Sequence, residues 1–232
     1  MRYTEEQVSE AMEMLPALWA KKHKIRTSTG IPFEFEKRKF MWDWLNDLSP
    51  KQALLKPPQI GASETTFVKA CYVAHKHKKD IIYTLPTQSD VHDMVGGKFN
   101  RIIAQNPILQ EWVKDHDSVE QKKVGDNILY LRGTFTQKAA MMVSSGLNLH
   151  DEVDASDGSV ITQYETRLEA NESEADKWRW YFSHPSLAGH GVDIYWQKSD
   201  KKEWYVTCNA CKEEQTLTWP DSINESNYIY KR

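Results

Sequence analysis

A chain of 232 residues, 40% hydrophobic and 27% charged, can bury one sizeable core with a small appendage, and this composition excludes a disordered or fibrous protein. A net charge of −3 excludes a dedicated nucleic-acid coat, so any DNA contact has to be local, transient or shared among subunits. No apolar run approaches the roughly 20 residues of a membrane span, no signal-peptide core opens the chain, and three cysteines make no disulfide framework, a pattern of reducing cytoplasm.

The spacing of Val8, Met12, Leu15 and Trp19 predicts a helix from Glu6 to Lys22, which Pro16 kinks or divides. Thr27 to Pro32 reads as loop, and Phe33 to Leu48 as a second, aromatic-rich helical region. Ala53-Leu54-Leu55 is a short buried strand ended by Pro57-Pro58. Glu64 to His75 is helical, with Phe67, Cys71 and Ala74 on one face. Asp80 to Leu85 is a strand stopped by Pro86, and Ser89 to Asn106 is mostly helical. Further strands are predicted at Asn127–Leu131, Ala140–Val143 and Leu147–His150, then a helix from Tyr164 to Ala175 and a strand from Trp178 to Phe182. This alternation predicts an α/β fold with a central, mainly parallel sheet flanked by helices. A small hairpin, Trp204–Thr207 against Gln215–Trp219, surrounds Cys208 and Cys211. The organisation is therefore an N-terminal helical region over 1–48 packing on a core over 49–200, followed by the hairpin region over 201–232.

The segment Lys56-Pro57-Pro58-Gln59-Ile60-Gly61-Ala62-Ser63-Glu64 lies between a strand and a helix, where backbone N–H groups and a helix N-terminus can cradle phosphate. It departs from the usual G-x-x-x-x-G-K-[ST] pattern: Gly61 and Ser63 fit, but Ala62 stands at the lysine position and Lys56 at the first glycine position. Taken alone it reads equally as a plain strand–turn–helix. Lys56 at the loop's start can instead bring its ammonium across to the β- and γ-phosphates, and the Ser63 hydroxyl can ligate Mg²⁺. Downstream, Leu147-Asn148-Leu149-His150 runs into Asp151-Glu152-Val153-Asp154. A strand ending in Asp-Glu after a phosphate loop suits Asp151 to Mg²⁺ and Glu152 to the attacking water. The competing reading is a solvated acidic turn, since Asp154 and Asp157 lie close by. Ser183 ends the next apolar strand, where it can sense a γ-phosphate.

In this order the segments resemble the large terminases of tailed phages, of the lambda type, from about Phe33 to Trp219. Lys56 to Ser63 resembles that family's deviant Walker A, with its lysine at the start of the loop, and Asp151 to Asp154 resembles its Walker B. Tyr83-Thr84-Leu85-Pro86-Thr87 resembles its strand ending in Pro-Thr, and Ser183-His184-Pro185 its coupling motif. Ser199-Asp200 and the aromatic run into Cys208 and Cys211 resemble its Cys-x-x-Cys segment. The chain departs from the family at Pro58 and Gln59, where an arginine is common, and at His184, where a threonine is usual. The resemblance implies a P-loop ATPase motor that hydrolyses ATP with Mg²⁺ to drive double-stranded DNA into a procapsid. It further implies a homo-oligomeric ring with portal and small-subunit partners, monomeric when isolated, in the host cell cytoplasm. Arg167 falls near an arginine frequent in the family, acting within a subunit or as a finger towards a neighbour; a surface arginine is the alternative. A nuclease domain is expected to lie outside this chain.

Cys208 and Cys211 have zinc-knuckle spacing, but tetrahedral Zn²⁺ needs four ligands and Cys71 reads as core packing, so a metal-free hairpin is expected here. Two other function classes fit parts of the pattern: a helicase-like P-loop ATPase, which normally carries a second ATPase-like domain, and a non-enzymatic DNA- or protein-binding module with a decayed nucleotide site, supported by Ala62.

Overall fold

The computed structural model describes residues 4–36, 38–113, 118–135, 143–208, 210–216, 223–224 and 229–230. The chain forms two compact units, Met1–Ser199 and Asp200–Arg232.

The first unit is built on a six-stranded sheet. Its strands are β1 (Lys51–Leu55), β2 (Ile81–Leu85), β3 (Gln121–Val124), β4 (Asn127–Gly133), β5 (Leu147–Asp151) and β6 (Trp178–Ser183), in the spatial order β1-β6-β5-β2-β4-β3. All neighbours are parallel except β3, which returns antiparallel to β4 through the turn at Gly125-Asp126. β6 therefore lies between the strand that leads into Lys56 and the strand that ends in Asp151.

Side-chain alternation gives the sheet two faces. Tyr83, Leu129, Leu131, Leu149, Trp180 and Phe182 point to one face and join the main core. That face is covered by α2 (Pro16–Lys22), α3 (Lys39–Asn46), α4 (Ala62–Lys76), α6 (Asn100–Gln105) and α7 (Pro107–Trp112), whose buried residues include Trp19, Leu45, Phe67, Ile102 and Leu109. The other face carries Ile82 and Tyr181 under α8 (Gly158–Glu165) and α9 (Val192–Trp196), in two smaller clusters with Val160, Tyr164, Val153 and Val192. It is also more polar: His150, fully buried, lies 2.7 Å from Thr84 Oγ1 and 2.9 Å from Glu165 Oε1, and Arg179 Nε is 2.6 Å from Glu165 Oε2.

Local chemistry explains the element ends. Leu15 precedes a proline and is forced extended (φ −113°, ψ 128°), so the first helix breaks into α1 (Glu5–Met14) and α2. The aromatic stretch from Phe33 is helical only over α3; Phe33 and Phe35 pack edge-to-face from a turn instead. Between α5 (Gln88–Met94) and α6 the helix widens into a π turn, Val95–Phe99, with Gly96 and Gly97 exposed. The helix predicted over Tyr164–Ala175 lies earlier. Asp157 caps α8 by accepting from Ser159 N at 2.9 Å, and only 3-10 turns follow at Thr166–Ala170 and Glu174–Asp176. Residues 140–142 of the strand predicted at Ala140–Val143 lie outside the described residues, and Val143 is irregular.

In the second unit, β7 (Tyr205–Thr207) pairs antiparallel with β8 (Glu214–Thr216), and β9 (Ile223–Asn224) with β10 (Ile229–Tyr230). Residues 217–219 of the predicted hairpin lie outside the described residues.

Candidate active site

Lys56 continues the β1 ladder by one residue, its N–H donating to Ser183 O at 2.9 Å. Pro57-Pro58 then forbid further pairing, and the chain turns back through left-handed residues at Gln59 (φ 60°) and Gly61 (φ 85°). A side chain at Gly61 would be strained there, and its Cβ would lie 3.2 Å from Arg38 Nη1. α4 starts immediately afterwards without a side-chain cap on its first N–H groups, leaving donors of the kind that bind anions.

The side chain of Lys56 is buried at 7% exposure. Its ammonium lies 2.7 Å from Asp151 Oδ1, 2.7 Å from Glu152 Oε1 and 3.4 Å from Ser63 Oγ. Asp151 is fully buried, and its other oxygen accepts from Tyr83 O–H at 2.9 Å. Glu152 is half-exposed and sits in the left-handed region (φ 54°), a conformation costing a non-glycine residue about 1–3 kcal/mol. The turn beyond it over-determines that conformation: the Glu152 carbonyl accepts from Ala155 N and Ser156 Oγ, each at 3.0 Å. Ser183, delivered by β6, places Oγ 3.5 Å from Glu152 Oε2 and 3.3 Å from Asp154 N.

Burial pushes the Asp151 carboxyl above its usual range, against the pull of Lys56 and Ser63. Burial likewise opposes the Lys56 charge, but Asp151 and Glu152 outweigh it and hold the ammonium above its ordinary value. Burial and the neighbouring Asp151 charge push Tyr83 far up, so it stays a donor. One cation thus gathers two carboxylates at the carboxyl edge of the sheet, beside a cleft of about 440 Å³ lined by Leu85, Asp93, Met94, Lys98 and Glu152 among others.

The model of a known family, the ATPase domain of the phage terminase large subunit gpA, matches residues 39–228. The chain belongs to that family. No curated protein matches it.

Within this terminase ATPase domain, Lys56, Ser63, Asp151, Glu152 and Ser183 converge, while other residues singled out in the sequence do not. Glu64 is engaged elsewhere: its carboxylate accepts from Ser28 N at 3.0 Å and Ser28 Oγ at 2.8 Å, pinning the 27–32 loop to α4. Arg167 is held ahead of β5, and its guanidinium donates to Thr166 Oγ1 at 2.8 Å. Its carbonyl accepts from Ser145 N, two residues before β5 begins. His184 is exposed. Cys208 and Cys211 lie in the second unit and are not joined in a disulfide, and among the described residues no group of three or more His, Cys, Asp or Glu could hold a metal ion.

Three participants escaped the sequence reading. Arg38, from outside the loop, reaches it through a 3.3 Å bond from Nη1 to Ile60 O, near where the family commonly has an arginine within the loop. Tyr83 holds Asp151. Asp154, which the sequence places at the end of the Walker B-like stretch without a role of its own, bonds the segment after β6. All three act through contacts distant in sequence, which no local pattern signals.

Proposed function

We propose that this terminase ATPase domain hydrolyses ATP with Mg²⁺ and that hydrolysis drives double-stranded viral DNA into a procapsid. On this reading it works within a homo-oligomeric ring in the host cytoplasm that also engages a portal and a small terminase subunit. The observation that carries the catalytic part is the Lys56 ammonium, 2.7 Å from both Asp151 and Glu152, at the mouth of a glycine turn leading into an uncapped helix.

The donor set suits a magnesium–nucleotide site. Mg²⁺ takes one or two protein oxygens and completes its shell with phosphate and water, and Asp151 and Ser63 are such a pair, close enough to share Lys56. The ion supplies neutralisation of charge on the phosphate oxygens. Lys56 holds two carboxylates here and would be drawn to phosphate oxygens, so that Asp151 and Ser63 would hold the metal and Glu152 would face a water. Glu152, half-exposed and fixed by its left-handed turn, orients that water and accepts its proton. Tyr83 keeps Asp151 aimed from behind, and Ser183 marks the far side of Glu152. Arg38 is positioned to add positive charge at the loop.

The test is Mg²⁺-dependent ATP turnover of the wild type and of Glu152→Gln, each with and without double-stranded DNA. The wild type should turn over, and Glu152→Gln should retain nucleotide binding and lose about 10²–10⁴-fold in rate. Equal turnover by the two proteins would remove Glu152 from the role of base.

A further inference from the structure

The last carboxylate of the Asp151–Asp154 run faces away from Lys56 and does something different. Asp154 Oδ1 accepts from Ser186 N at 2.8 Å and Ser186 Oγ at 2.7 Å, and Oδ2 accepts from Val192 N at 2.9 Å. Its own N–H points to Ser183 Oγ at 3.3 Å. One side chain, two residues beyond Glu152, therefore clamps both ends of the segment that follows β6. Gly191 is built around this contact. It adopts φ 53°, ψ −127°, a region essentially restricted to glycine, and a Cβ there would lie 2.4 Å from the Asp154 carboxylate.

What is clamped is exposed. Residues 184–190 are solvent-facing throughout, with Leu187 71% exposed. Beyond them α9 returns to the sheet, where Tyr195 stacks on Tyr181 at 3.6 Å and Val192 packs with Val153. The segment is thus anchored where it leaves the sheet and where it returns, and its exposed stretch is tied to the turn that holds Glu152.

We propose that Asp154 is a positioning residue: it fixes the left-handed turn of Glu152 for hydrolysis and mechanically links that turn to the exposed 184–190 segment, so that the two move together. This rests on the reading of Glu152 as the hydrolytic base. A displacement of the turn pulls Ser186 and Val192 through three hydrogen bonds to one carboxylate, and a partner pressing on Leu187 pushes back on Glu152 by the same route. No contact of Asp154 with nucleotide is needed.

Asp154→Asn tests this, because the nearly isosteric amide keeps one acceptor for Ser186 but turns an N–H₂ against the Val192 N–H. The expected result in Mg-ATP turnover is a kcat about 10- to 100-fold lower, the scale of a misplaced catalytic group. KM for ATP should stay within about twofold, because the phosphate loop is untouched. Amide hydrogen exchange should speed up at residues 186 and 192 while β5 and β6 stay protected. Ser186→Ala, which removes one of the three bonds, should show the same split in weaker form and decides the matter if Asp154→Asn does not fold. Wild-type kcat in the variant that folds would overturn the proposal, as would kcat, KM and strand protection deteriorating together, which is general destabilisation. Absence of Mg-ATP turnover in the wild type would instead overturn the functional reading beneath it.

Discussion

Lys56 and Lys69 are both buried against the same face of the sheet, over successive aromatic rings of β6, and they are kept there in opposite ways. The Lys56 ammonium lies 5.4 Å from the Phe182 ring centre and is matched by two carboxylates. The Lys69 nitrogen lies between Trp44 and Trp180, 4.2 and 4.1 Å from their ring centres, and donates to Trp44 O at 2.8 Å and Gln52 Oε1 at 2.9 Å. Its burial is complete, and desolvation drives its proton affinity well below that of an ordinary lysine, only weakly opposed by Asp47. The difference separates a working cation from a fastening. On the proposed mechanism Lys56 has partners that a metal and a water would claim, and the two carboxylates hold its charge until then. Lys69 has backbone and amide partners that never leave, and it ties α3, β1 and α4 together.

The comparison breaks most visibly at Lys56. Lys56→Ala should lower Mg-ATP turnover by on the order of 10²–10³-fold, the scale of losing a donor aimed at developing charge. Lys56→Arg should also be impaired, because a planar fork does not replace a compact ammonium. A strand-end lysine reads from sequence as solvated and thermally silent, yet this one is buried, so removing it strands the Asp151 charge at a cost of about 3–5 kcal/mol. Without the cation the Asp151 carboxyl binds its proton more tightly in the folded than in the unfolded chain, so this loss should shrink as pH falls. Urea unfolding at pH 8 and pH 5 checks it. Wild-type turnover in Lys56→Ala would transfer its role to another cation, with Arg38, which donates to Ile60 O in the loop, the first candidate.

At Lys69 the effect should be on stability alone. Lys69→Met keeps the stem and strands two acceptors, costing about 1–3 kcal/mol at neutral pH, with ATP turnover within about twofold of wild type. The pH dependence has a definite sign. The folded Lys69 gives up its proton below the ordinary value of 10.5, so the unfolded chain binds more protons in that window and wild-type stability gains from this group as pH rises towards it. Lys69→Met should lack that gain in unfolding titrations. A turnover defect matching that of Lys56→Ala would erase the distinction between the two lysines. The smallest effect is expected from Tyr83→Phe, which removes one donor to Asp151. A hydrogen bond of about 0.5–1.5 kcal/mol corresponds to about a 2- to 12-fold rise in the Mg²⁺ concentration needed for half-maximal rate.

Much of this was legible in the chain itself. Runs such as Ile81–Leu85 and Trp178–Phe182 are apolar except for Thr84 and Arg179, because both faces of a parallel sheet are covered, and they read as strands for that reason. Gly61 and the Asp151-Glu152 pair could be recognised because their roles depend on residues next to them. What could not be read was set by distance. Lys56 can be picked out from its place at the start of the loop, but its burial cannot, because that depends on Asp151, 95 residues away, being brought to it. The cluster of Asp151, Glu152, Asp154 and Asp157 looks like one solvated patch, whereas its members serve Lys56, Lys56, the 186–192 segment and the cap of α8 respectively. Arg38 carries no local signal at all. The helix predicted at Tyr164–Ala175 starts instead at Gly158, because Asp157 caps it, a role that an aspartate within an acidic run does not announce.

The π turn at Val95–Phe99 has a consequence of phase. Val91, Val95 and Phe99 are all fully buried and recur every four residues, whereas an α-helix turns about 100° per residue and so drifts about 40° past a full turn at each such step. Widening the helix over Val95–Phe99 absorbs the drift, so α6 arrives with Ile102 still facing the core. The turn acts as a vernier between two helical rulers, and Gly96 and Gly97, with nothing within 4 Å of where a Cβ would stand, leave two positions of its outer rim without a side chain. Length changes here are therefore asymmetric. Losing one residue removes the correction and rotates the apolar stripe of α6 away from the core, while an exchange of side chain on the outer rim leaves the register as it was.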